Sequence, residues 1–174
     1  ETDENVLYLL DESIKLKEKI EDHEGKTKLL TLYGEFFIKR DEAEKARQKF
    51  LKALNIANNL HLVDFISDAN CGLGNCALLE NQYEKAQQYF IDAALQAKVD
   101  DNVPNQYNAI FGILEVAKMN KDSTMIYEFS DEIQSLFRKD QSRGHKFEHL
   151  ITSMKACEEF SAEAAELVRL SKDI

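Results

Sequence analysis

The chain has no tryptophan, one proline (Pro104) and six glycines in 174 residues. So few breakers, beside many Lys, Glu, Ala and Leu, exclude a turn-rich β architecture and favour long helices. Its three cysteines, Cys71, Cys76 and Cys157, are odd in number and too few for a disulfide framework. Cys71 and Cys76 lie five apart, which on a helix turns them roughly 140° from each other. A reduced, cytoplasmic setting is therefore expected. No apolar run reaches the roughly 18 residues of a membrane span, and no secretory signal pattern is visible. The chain begins Glu1-Thr2 without Met, as a piece of a longer protein would.

Positive charge is also scarce. The 22 Lys and Arg are outnumbered by 32 Asp and Glu, giving a net charge of −10. An acidic surface repels phosphate backbones and anionic lipid headgroups, so neither nucleic acid nor membrane is expected as a partner. A basic protein or peptide is permitted. The apolar fraction, 44%, is ample for a core, and the length fits one domain spanning 1–174.

What the chain has is an internal repeat. Glu44-Lys45-Ala46 returns as Glu84-Lys85-Ala86, 40 residues on. The same offset links Phe50 to Phe90, Ala53 to Ala93, Gly34 to Gly74 and Asp41 to Asn81. Fainter copies link Gly72 to Gly112 and Ala77 to Ala117, and place Val6 and Leu10 under Ala46 and Phe50. Such a period is the signature of stacked helix pairs. The spacing predicts an opening helix over 3–21, then pairs over 27–39 and 43–58, 63–79 and 83–97, 105–119 and 123–138, and 143–159 and 161–172, about nine helices in all. The fold class expected is all-α, an α-solenoid of antiparallel helix pairs.

Local chemistry supplies the predicted ends. Asp41 with Glu44, and Asn81 with Glu84, have capping-box spacing. Pro104 suits a first helical turn. His23 and His61 fall near helix ends, where imidazole suits the negative terminus. Gly34 and Gly74 sit inside helices at a cost of roughly 1 kcal/mol each relative to Ala, which implies a close contact in return. Ala46, Ala53, Ala86 and Ala93 offer a flat matching face, with Phe50 and Phe90 filling the space between units.

Leu30, Tyr33, Gly34, Phe37, Ala46, Phe50 and Ala53, and then Leu73, Gly74, Ala77, Tyr83, Ala86, Phe90 and Ala93, resemble the tetratricopeptide-repeat (TPR) consensus. The usual period of that family is about 34 residues. The longer repeat here is similar to the variant found in cell-polarity scaffolds and bacterial regulators. The resemblance covers residues 27–98 well and 99–174 weakly. Ser130 replaces the second-helix aromatic in the third unit.

The chain offers little catalytic chemistry. His145, Glu148 and His149 form His-x-x-Glu-His, the inverted zinc-protease pattern. Two histidines four apart share a helix face and can share a metal. A third ligand is not singled out, and a polar helix face explains the triplet equally simply. The cysteines read as small buried hydrophobes. Paired carboxylates such as Asp100-Asp101 lack the spaced oxygens of a calcium loop. No phosphate loop and no nucleophile elbow occur. Neither an enzyme activity, nor a metal, nor a cofactor is expected.

Binding is the remaining expectation. The resemblance implies that the first helix of each pair lines a concave face. The residues three or four apart on those helices are Lys28, Thr31 and Glu35; Asp68, Cys71 and Asn75; and Asn108, Phe111 and Glu115, with Ile38, Leu78 and Lys118 extending the stripes. The asparagines suit a peptide backbone and the glutamates a basic side chain. Glu35 opposes recognition of a terminal carboxylate of the kind some family members hold. The reading is a protein- or peptide-binding scaffold. Its alternative is the sensory portion of a longer bacterial transcriptional regulator or signalling enzyme. A homodimer through the terminal helices is a further expectation, since the last predicted helix carries Ala162, Ala165, Leu167 and Val168.

Overall fold

A computed structural model describes residues 2–122 together with Met125, Phe129, Glu132 and Leu136. Every regular element among them is helical: α1 (Thr2–Lys19), α2 (His23–Ile38), α3 (Ala43–Leu60), α4 (Val63–Leu79), α5 (Tyr83–Val99) and α6 (Val103–Asn120). The four further residues are also helical, inside the predicted span 123–138. The fourth predicted pair lies outside the described residues. No helix among those described is long and apolar enough to cross a membrane.

The helices are joined by one turn used six times. Glu21, Asp41, His61, Asn81, Asp101 and Lys121 all have positive φ, between 49° and 58°, at intervals of 20 residues. Each donates its N–H three residues back, and the next residue donates five back. Leu62 N to Ala57 O, Gln82 N to Ala77 O and Asn102 N to Ala97 O are three cases, at 2.9, 2.8 and 2.9 Å. This is the Schellman arrangement, which satisfies the last carbonyls of a helix. In the first five turns the residue after the left-handed one also begins the next helix: the carbonyls of Asp22, Glu42, Leu62, Gln82 and Asn102 each accept the first bond of the helix that follows. Two residues thus reverse the chain, and neighbouring helices run antiparallel.

Several predicted ends move as a result. Asp41 and Asn81 do not cap helices. They hold the left-handed position, and the N-caps are Glu42 and Gln82, neither making a side-chain cap bond. The side chains that do cap are Asp22, accepting from Gly25 N, and Asn102, accepting from Asn105 N, and Asp122 accepts from Met125 N in the same way. α2 therefore starts at His23 rather than 27, and α6 at Val103 rather than 105. His23 sits at the positive end of its helix, not the negative one. His61 does close α3, and Pro104 lies in the first turn of α6 as expected.

Each helix packs on its sequence neighbours, and α2 also meets α4, and α4 meets α6. The core of α3 is the series Ala46, Phe50, Ala53, Ala57, at steps of four, three and four. α5 repeats it as Ala86, Phe90, Ala93, Ala97. All eight are 0–1% exposed. The glycines face the aromatic rings of these series. A Cβ on Gly34 would lie 2.6 Å from Phe50 Cζ, and one on Gly74 would lie 2.7 Å from Phe90 Cε1. Gly72 and Gly112 are closer still to Phe50 and Phe90 on the other side. Each phenylalanine is thus wedged between a glycine of the preceding helix and one of the following helix. Polar ties add to this: Ser67 Oγ donates to Ala93 O at 3.0 Å, and Gln106 Nε2 to Ala97 O at 3.1 Å.

Two stability measurements test these contacts. Gly72→Ala gains up to about 1 kcal/mol of helix propensity, yet overpacking against a rigid ring costs roughly 1–3 kcal/mol. Denaturant unfolding should show a net loss, partly rescued when Phe50→Leu is added. An increase in stability for Gly72→Ala alone would contradict the wedge. Glu21→Gly relieves a left-handed, exposed, non-glycine residue and should raise stability by about 0.5–1 kcal/mol. A lowered melting temperature would contradict that.

Candidate functional site

α2, α4 and α6 together bound a groove of about 520 Å³. Its floor contains Phe50 with Gly72 and Phe90 with Gly112, so the wedge contacts also shape the site. Because these glycines lack Cβ, the two rings lie directly against the backbones of α4 and α6. The walls carry Glu35, Ile38 and Lys39 from α2, Asp68, Cys71, Asn75 and Leu78 from α4, and Tyr107, Asn108, Phe111 and Glu115 from α6.

Seven of the nine residues expected on this face are brought together: Glu35, Asp68, Cys71, Asn75, Asn108, Phe111 and Glu115. Lys28 is exposed and does not line the groove. Thr31 is buried, 8% exposed, with its hydroxyl donating to Thr27 O at 3.2 Å. That hydroxyl is spent inside its own helix, as threonine commonly does. Of the residues that extend the stripes, Ile38 and Leu78 line the groove and Lys118 does not. Lys39 and Tyr107 were not legible. Lys39 follows the last residue of α2, and Tyr107 is buried, 3% exposed.

The charge in the groove is uneven. Glu35, Asp68 and Glu115 are acidic, and Lys39 is the one basic side chain on the lining. Asp68 is partly buried, and its carboxyl is pushed up to about 6. Burial is the main cause, followed by the negative charges of Glu35 and Asp64, while a hydrogen bond from Asn105 opposes the rise. Desolvation and like charge both favour the neutral acid. Asn105 is itself held by Nδ2 donating to Asp64 O at 3.1 Å. Beside Asp68, burial and the carboxylate push the Cys71 thiol up to about 12. Burial pushes the Cys76 thiol up to about 12 as well. Both are free thiols held protonated, the opposite of what a nucleophile requires.

A second cleft of about 520 Å³ lies between α1, α2 and α3 and contains Lys15, Lys26, Lys49 and Lys52. Here the cations are largely committed. Lys15 pairs with Glu12 and Lys26 with Glu18, each at 2.7 Å. Lys49 lies 3.6 Å above the Tyr33 ring. Among the described residues, no group of three or more His, Cys, Asp or Glu side chains is placed to hold a metal ion. His145, Glu148, His149 and Cys157 lie outside the described residues. No protein-family model, curated protein or solved structure matches the chain.

The raised carboxyl of Asp68 makes a pH prediction. A carboxyl whose folded-state value exceeds its unfolded value near 3.8 stabilises the fold only while protonated. Its penalty therefore grows as pH rises from about 4 through about 6 and is complete above that. Asp68→Asn keeps the size and removes the charge. It should stabilise the protein by on the order of 2 kcal/mol at neutral pH and by much less near pH 4. Equal effects in unfolding experiments at both pH values would refute the assignment.

Proposed function

We propose that this chain is a TPR-like helical-repeat solenoid that binds a protein or extended peptide, without chemistry of its own, in the groove formed by α2, α4 and α6. The observation behind this reading is Asp68. A partly buried carboxylate set near the negative charges of Glu35 and Asp64 is costly to ionise, and Asn105 offsets only part of that cost. A guanidinium or ammonium group entering the groove neutralises it. Perturbed carboxylates in clefts mark functional sites more often than surface ones do.

The rest of the lining suits the same partner. Ile38, Cys71, Leu78 and Phe111 give apolar contact, and the exposed amides of Asn75 and Asn108 match a peptide backbone. Glu115 extends the acidic strip onto α6. The partner is thus a peptide segment that presents Lys or Arg beside apolar side chains. The family resemblance of residues 27–98 supports the same use of this face, and the net charge of −10 would steer a basic segment toward it.

The test is fluorescence anisotropy against an arrayed set of labelled peptides, basic-apolar sequences beside acidic counterparts. Selective binding of the basic set is expected, weakening as salt rises. Asp68→Lys should reduce affinity at least about tenfold, since a like charge replaces a complementary one in a partly desolvated site. Asn75→Ala with Asn108→Ala should cost roughly five- to tenfold. Affinity unchanged in both variants, or equal binding of the acidic set, would reject the groove.

A further inference from the structure

One exposed stripe of α1 is apolar. Val6, Leu9, Leu16 and Ile20 are 39%, 61%, 61% and 68% exposed. With Ser13 they occupy steps of three, four, three and four, one straight stripe along the helix. Ile20 belongs to it because its N–H still donates to Leu16 O, at 3.3 Å. The stripe is separate from the face that α1 buries, where Leu7, Leu10 and Ile14 pack near Tyr33 and Phe37. The 40-residue register puts Val6 and Ser13 at the places of Ala46 and Ala53, which neighbouring helices bury completely in α3. Of the equivalent places on α1, Val6 is exposed and Ser13 is half-buried. An apolar stripe of this size on a charged protein marks a contact surface.

We propose that a second copy of this chain covers the stripe, with α1 packed antiparallel on α1 about a two-fold axis. Charge selects this occupant and this direction. Asp3 and Glu4 open the helix and Asp11 and Glu12 follow at its middle, while Lys15, Lys17 and Lys19 stand in its last part, where Glu18 is already held by Lys26. Glu12 and Lys19, seven residues apart, lie along one edge of the stripe. Antiparallel pairing brings Glu12 of each copy, which also holds Lys15 of its own chain through one oxygen, near Lys19 of the other, twice by symmetry. Parallel pairing would instead turn Glu12 toward the partner copy's Lys17, which Asp22 already holds at 2.6 Å. Among the described residues Lys19 joins no ion pair within its own chain, so it is available to a partner. Ser13, the small residue at the middle of the stripe, allows the two backbones to approach. The helix is about 27 Å long, so the contact is small and the dimer weak, with a Kd on the order of 100 µM. The inference is independent of the groove reading, since α1 contributes nothing to that groove.

Sedimentation equilibrium of the full 174-residue chain, from about 10 µM to about 1 mM, tests the proposal. The unaltered chain should pass from monomer to dimer across that range. Leu16→Glu, at an exposed position, should keep its helical circular dichroism and stay monomeric. Glu12→Lys and Lys19→Glu should each raise Kd about tenfold, and the two combined should return it to within about threefold of the original. Three results overturn the proposal. One is a monomer at every concentration, which gives the stripe to another occupant. The others are a dimer that Leu16→Glu leaves intact, and a charge swap that restores nothing.

Discussion

Phenylalanine against glycine is the contact on which the described fold depends. Phe50 and Phe90 each place a ring where the flanking helices have no Cβ, at Gly34 and Gly72, then at Gly74 and Gly112. The rings are fully buried. The same contact fixes how closely α2, α4 and α6 sit, because each ring is gripped from both sides. A glycine inside a helix weakens that helix by about 0.5–1 kcal/mol. Burying a large aromatic returns several times that amount, so the exchange favours the fold as long as all the members are present. The groove floor is made of these same atoms. Packing and site are therefore one construction.

The second constraint is the turn. A left-handed residue every 20 positions reverses the chain in two residues, so each helix starts where its predecessor ends. Helices of 16–18 residues then repeat in register. The even-numbered helices point the same way and bring equivalent positions side by side. That is why Asp68 of α4 meets Glu35 of α2 and Asn105 of α6, although the three are far apart in sequence. Burial of Asp68 and the negative charges of Glu35 and Asp64 make its ionised form costly, and the hydrogen bond from Asn105 offsets part of that cost.

Much of this was legible in the sequence, for identifiable reasons. The Ala-Phe-Ala-Ala steps of α3 and α5 are a helical period that burial of one face demands, and the 40-residue offset reports their stacking. Seven of the nine expected face residues could be found because positions three or four apart share a helix face. Thr31 could not be separated from them, since a threonine hydroxyl satisfies itself within a helix or projects from it with the same spacing. The turns were misread because no glycine marks them: Glu21, Asp41, His61, Asn81, Asp101 and Lys121 share only polarity. Asp41 and Asn81 looked like caps because cap and left-handed turn draw on the same residue types.

The sequence by itself determined the class of element, the period and the core, because these follow from side-chain polarity at fixed helical spacing. It also determined the excess of acid over base and the absence of turn glycines. Only the tertiary structure decided what each glycine faces. From sequence the helix glycines suggested a flat alanine surface. In space each meets one phenylalanine of an adjoining helix, a relation between residues 16 or 22 positions apart that no local pattern encodes. It also decided that Asp68 is a perturbed acid rather than an ordinary surface one. That property belongs to the burial and like charge around it, and these arise only when α2, α4 and α6 stand together.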